Sequence, residues 1–228
     1  MRAVIIGASG GIGAALVEQL AARDDYNQVY ALSRSGAGAG RKTVSLSIDL
    51  EAEDSIAAAA KTIAAEGAPD LVIVASGILS DQQGLAPEKS LRQQSTEAFQ
   101  KVLAINTIGP SLIAKHFLPI MPRKERAVFA AISARVGSIS DNRIGGWHAY
   151  RASKAAAVNL GRNLAVDLEP LGIALGVYHP GWVRTDMGGA GADISDAESA
   201  DGLVQEFAKL SLETTGCFKN YDGEDVPL

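Results

Sequence analysis

Ala3-Val4-Ile5-Ile6 runs without a break into Gly7-Ala8-Ser9-Gly10-Gly11-Ile12-Gly13 and then into a segment from Ala14 to Ala22, and this stretch decides the fold. The first four residues form a short apolar run of the kind that makes a buried strand, and Ala14 to Ala22 has the composition of a helix. Glycines between them let the backbone turn tightly and approach a pyrophosphate, whose charge then rests on the free N–H groups at the helix start. A glycine-rich turn alone is a weak signal. Placed between strand and helix it predicts a dinucleotide site, with Gly7, Ser9, Gly11, Ile12 and Gly13 at the phosphates.

Further strands are expected at Gln28 to Leu32, Thr43 to Ile48, Leu71 to Ala75, Ala127 to Ser133 and Ile173 to Tyr178. Helical segments begin near Gly11, Glu51, Ser95 and Tyr150; the second, Glu51 to Glu66, is acidic at its start and is stopped by Gly67 and Pro69. Strands alternating with helices predict an α/β class chain: one Rossmann-type domain over residues 1–228, a doubly wound parallel sheet of order 3-2-1-4-5-6 with helices on both faces. Ligands then bind at the carboxyl ends of the strands. Ser35 to Gly40 is expected to be a mobile loop beside a ligand. Residues 186–212, glycine- and alanine-rich over Met187 to Asp196, are expected to cover the substrate, with a plain surface loop as the competing reading.

Apolar residues are 47% and charged residues 21% of 228, which fits a globular core and excludes a disordered chain. A net charge of −5 without a basic cluster argues against nucleic-acid and anionic-membrane partners. Cys217 is the only cysteine, so no intramolecular disulfide forms, and a reducing, cytoplasmic setting is expected. Glycines interrupt the apolar N-terminal run, which reads as neither signal peptide nor membrane span. His116, His148 and His179 lack ligand spacing, and no metal is expected.

Tyr150-Arg151-Ala152-Ser153-Lys154 places a phenol and an amine four residues apart, on one face if helical. By itself such a pair reads as surface support for a helix. Following a strand and joined to the N-terminal turn, it becomes a candidate proton-transfer pair, because an ammonium beside a phenol favours the phenolate. The spacing Gly7-x-x-x-Gly11-x-Gly13 with Tyr150-x-x-x-Lys154 resembles the short-chain dehydrogenase/reductase family. The segments Gly145-Gly146-Trp147 and His179 to Met187 are most similar to its branch of sniffer-type carbonyl reductases and the C-factor developmental protein.

The resemblance implies an oxidoreductase moving a hydride between a nicotinamide cofactor and a small carbonyl or alcohol substrate, with Tyr150 as acid/base and Lys154 on the nicotinamide ribose. It also implies Asn106 in the proton relay and at the cofactor, Asp49 and Leu50 at the adenine, Ser76 and Gly77 after the fourth strand, and Pro180, Gly181, Val183 and Thr185 at the nicotinamide amide. A homodimer or homotetramer is implied in the same way. Two departures stand out. Ala75-Ser76-Gly77 replaces the family's Asn-Ala-Gly, and the expected catalytic serine falls on Ala134, leaving Ser133, one position early, as the favoured hydroxyl and Ser138 as the alternative. The competing function is a nucleotide-binding regulatory or signalling protein with little turnover, since fold alone does not guarantee chemistry.

Cofactor choice is legible at the end of the second strand. No acid occurs between Asp25 and Asp49 to bind a ribose 2′-hydroxyl, whereas Ser33 and Arg34 suit a 2′-phosphate, so NADP(H) is expected over NAD(H). A solvated loop arginine is the plain alternative for Arg34.

Overall fold

The computed structural model describes residues 1–36, 40–123 and 125–228. Among the described residues seven strands form one parallel sheet: β1 (Arg2–Ile6), β2 (Gln28–Ser33), β3 (Thr43–Ser47), β4 (Leu71–Val74), β5 (Ala127–Ile132), β6 (Ile173–His179) and β7 (Cys217–Asn220). Their order is β3-β2-β1-β4-β5-β6-β7. The six expected strands lie within one residue of their expected ends, and the expected order holds. β7 was not foreseen. Its sequence, Cys217-Phe218-Lys219-Asn220, carries one fully apolar side chain and no β-branched residue, so only its pairing with β6 makes it a strand.

Strands of a parallel sheet are covered on both faces, and successive side chains point opposite ways. Val4 and Ile6 of β1 therefore enter one core with Ile56 and Ile63 from α2 (Glu53–Glu66) and Phe117 from a later helix, while Ala3 and Ile5 enter another with Leu16 and Leu20 from α1 (Gly11–Ala22). Leu16 and Leu20 are fully buried. Each contributes about 1.5–3 kcal/mol by leaving water.

On the first face lie α3 (Thr96–Leu103), α4 (Gly109–Phe117) and α5 (His148–Leu168). On the second lies α6 (Asp196–Lys209), packed beside α1 with Ala200, Leu203 and Phe207 in the core. This narrows the expected cover over 186–212: residues from Asp196 onward are a capped core helix, and the segment bordering the cavity described below ends at Gly188. α2 starts two residues later than expected, because Asp49 holds the turn ahead of it by accepting from the Glu51 N–H at 3.0 Å. The loop expected over Ser35 to Gly40 includes residues 37–39, which lie outside the described residues.

Candidate active site

The carboxyl ends of β1, β4, β5 and β6 open into one cavity of about 810 Å³. Its floor is the turn after β1. Gly7 has φ +95°, and a Cβ there would lie 2.7 Å from the Ser76 nitrogen. A Cβ on Gly13 would run into the Gly7 carbonyl oxygen. Both glycines are thus required for strand and helix to meet this closely. α1 has Gly10 at its N-cap, with no side-chain cap and no acidic residue in its first turn, so its first N–H groups face the cavity as an anion site.

The structure brings Gly11, Ile12 and Gly13 together with Ser76 and Gly77 and with the later segment holding Pro180, Gly181, Val183 and Thr185. Gly7 lies beneath this floor and Ser9 on its exposed rim. Ser33 ends β2 with a buried hydroxyl that has no partner among the described residues, as does Ser76 after β4. Arg34 follows Ser33 on the surface. Asp49 and Leu50 follow β3, Leu50 packing on the core beside Gly109. These unsatisfied hydroxyls and uncapped amides fit a phosphate-bearing dinucleotide, since buried polar groups ordinarily have partners.

Tyr150 and Lys154 sit one turn apart on α5, both almost wholly buried. Lys154 Nζ lies 5.6 Å from the centre of the Tyr150 ring and donates to the Ile132 carbonyl at 3.3 Å. Burial pushes the phenol up to about 12 and the amine down to about 8. Loss of water is the cause of both shifts, so burial outweighs any pull of the amine on the phenol. The Tyr150 hydroxyl is protonated at neutral pH and points at the Met187 sulfur, 3.9 Å away.

Asn106 lies outside the cavity wall, 2% exposed, in a π-helical turn (Ala104–Ile108) between α3 and α4, where the Gly109 N–H reaches back to the Ala104 carbonyl. Its side-chain carbonyl accepts from the Ile78 N–H at 2.7 Å. Its amide donates to the Ile78 carbonyl at 2.9 Å and to Ser153 Oγ at 3.0 Å. Ser153 passes the chain on to the Tyr150 carbonyl at 2.7 Å. Asn106 thus ties the loop after β4 to the helix carrying Tyr150.

The two serines are placed differently. Ser133 lines the cavity, and its hydroxyl donates to the Lys154 carbonyl at 3.1 Å. Ala134 packs on the cluster of Val102, Ala149 and Tyr150. Ser138 is buried away from the cavity and accepts from the Asp141 N–H at 3.1 Å. A hydroxyl has one proton, so Ser133 must leave Lys154 before it can donate to a substrate.

A family model described as short chain dehydrogenase matches residues 1–198. The chain belongs to the short chain dehydrogenase family. Among curated relatives of this short chain dehydrogenase, the "C-signal" of Myxococcus xanthus is 36% identical over 127 residues, 56% of this chain and 76% of that one. Among solved structures, an NADPH-bound carbonyl reductase from chicken fatty liver is 27% identical with a TM-score of 0.89, covering 100% of this chain and 98% of that one. The carbonyl reductase Sniffer of D. melanogaster is 26% identical with a TM-score of 0.89, covering 100% and 99%. The expected family and branch are borne out.

Sequence reasoning gave no role to Glu88, marked Met187 only as the start of the expected substrate cover, and used His179 only as part of the segment that carries the resemblance. His179 ends β6 in the cavity wall with a buried Nδ1 that has no partner among the described residues, and burial, with Arg135 and Lys154 nearby, holds its imidazole down at about 4. Its place directly before Pro180-Gly181 was the available signal. Among the described residues no helix of this short chain dehydrogenase is long and apolar enough to cross a membrane. No group of three or more His, Cys, Asp or Glu among them is placed to hold a metal ion.

Proposed function

We infer that this short chain dehydrogenase is an NADPH-dependent reductase of small-molecule carbonyl compounds. The observation that carries the reading is the buried, protonated Tyr150 hydroxyl opening into the same cavity as the uncapped start of α1. NADPH, when bound, supplies a hydride to the carbonyl carbon. Tyr150 gives its proton to the oxygen as negative charge grows there, which a phenol held up at about 12 does only when that charge appears. Lys154, charged below about pH 8, donates to the ribose hydroxyls and stabilises the phenolate left behind. Asn106 and Ser153 hold α5 against the loop after β4, so the phenol keeps its place through turnover.

The buried orphan hydroxyl of Ser33 and the exposed guanidinium of Arg34 support binding of the 2′-phosphate, and the first-turn amides of α1 support the pyrophosphate. A homodimer or homotetramer accords with the family resemblance, and sedimentation velocity measures it. The single, partly buried thiol of Cys217 accords with a cytoplasmic setting.

The deciding experiment follows NADPH oxidation over a panel of aldehydes, ketones and quinones with the natural protein and with Tyr150→Phe. The variant is expected to bind NADPH normally and to lose at least about a hundredfold in kcat. Equal turnover by the two proteins overturns the mechanism, and NADPH binding without oxidation by any carbonyl indicates a regulatory nucleotide binder.

A further inference from the structure

Trp147 is the one described non-glycine residue with positive φ (50°), and it follows Gly145 at 69° and Gly146 at 68°. A side chain rarely adopts this left-handed conformation, and a bulky one held there points to a constraint worth its strain. The constraint is visible. The Trp147 N–H donates to the Glu88 carbonyl at 2.8 Å, and its carbonyl accepts from the Arg151 N–H in the first turn of α5. Trp147 occupies the N-cap position of α5 but cannot cap, so the buried Glu88 carboxylate does so from a distant loop, accepting from the Ala149 N–H at 3.2 Å.

What this arrangement presents is an indole face. Its ring stands edge-on to Tyr150, centres 6.3 Å apart at 75°, and remains 38% exposed at the cavity. Ile144, Leu79 and Met187 line the same cavity, and the Met187 thioether, a weak acceptor, rests at the Tyr150 hydroxyl where a carbonyl oxygen would displace it. Charges at this rim are mostly engaged: Arg135 pairs with Asp141 at 2.6 Å, and Arg143 donates to the Ser140 and Asn142 carbonyls. Arg151 donates to the Val136 carbonyl and keeps an unpartnered Nε, while Asp186 lines the cavity and opposes an anion.

Resting on the reductase reading above, we propose that Trp147 sets substrate specificity, selecting flat, neutral aromatic carbonyl compounds laid against its indole beside the Tyr150 hydroxyl. The test compares three vicinal dicarbonyls of similar reactivity and different shape: acenaphthenequinone, diacetyl and pyruvate. In the natural protein kcat/KM for acenaphthenequinone is expected to exceed that for either of the others by at least about tenfold. Trp147→Gly relieves the left-handed backbone but gives up the packing of the indole on Tyr150, so a modestly lower melting temperature is expected. It should lose at least about tenfold on acenaphthenequinone while diacetyl stays within about threefold, and Trp147→Phe should fall between.

A uniform loss on all three compounds, or an undiminished preference in Trp147→Gly, overturns the proposal. So does a natural preference for pyruvate, which would assign the cavity to an anion at Arg151. Tyr150→Phe separates the two levels: retained turnover there removes the reductase reading itself, and a natural protein that reduces none of the three removes both.

Discussion

Ser133 shows how a residue of the right type is committed elsewhere. Its hydroxyl proton is on the Lys154 carbonyl, and Ala134 takes the side that packs with Tyr150. Ser133→Ala should therefore lower kcat by no more than about tenfold, the effect of one neutral hydrogen bond on the placement of α5. A loss near a thousandfold, measured in the same assay, would return the carbonyl-binding role to Ser133. Ser138→Ala should leave kcat near that of the natural protein, because its hydroxyl serves the Asp141 turn. At the other end of the site, Arg34→Ala is expected to weaken NADPH by about 1.5–3 kcal/mol and leave NADH nearly unchanged. Isothermal titration with both nucleotides checks this, and equal affinity of the natural protein for the two would refute the assignment.

At the scale of elements, the break between α3 and α4 governs the site. A π-helical turn inserts an extra residue and turns Asn106 inward, where a straight helix would present a different face. Asn106→Leu keeps approximate volume but leaves both backbone groups of Ile78 and the Ser153 hydroxyl without that partner. Destabilisation of at least about 2 kcal/mol is expected, read as a lower urea midpoint at unchanged m-value. The sequence marked Asn106 only through resemblance, since nothing local announces a π turn. α6 shows the reverse case. Ser195 and Glu198 spell a reciprocal cap, with the Ser195 Oγ accepting from the Glu198 N–H at 3.1 Å, yet the sequence reading placed this segment in the substrate cover over 186–212 and did not mark the helix start.

For the whole molecule, pH dependence follows from what the fold buries. The His179 imidazole is held at about 4 against 6.5 in water, so as pH falls between those values the unfolded chain takes up a proton first. Stability present above about pH 6.5 is lost through that window, by on the order of 3 kcal/mol. Urea midpoints at about pH 7 and about pH 4.5 should differ less in His179→Gln, and an equal difference would show that His179 is not the group responsible. The positions of six strands, the glycine turn and the Tyr150–Lys154 pair were legible in the sequence alone, because each depends on local periodicity or on spacing within one turn or one helix, and the strand order followed from the rule of right-handed crossovers. β7, the Asn106–Ser153 link, the commitment of Ser133, the upward shift of Tyr150 and the strained Trp147 were decided only by tertiary structure. Each depends on which distant backbone group arrives at a side chain and how much water is driven out, and neither is written in the residues next to it along the chain.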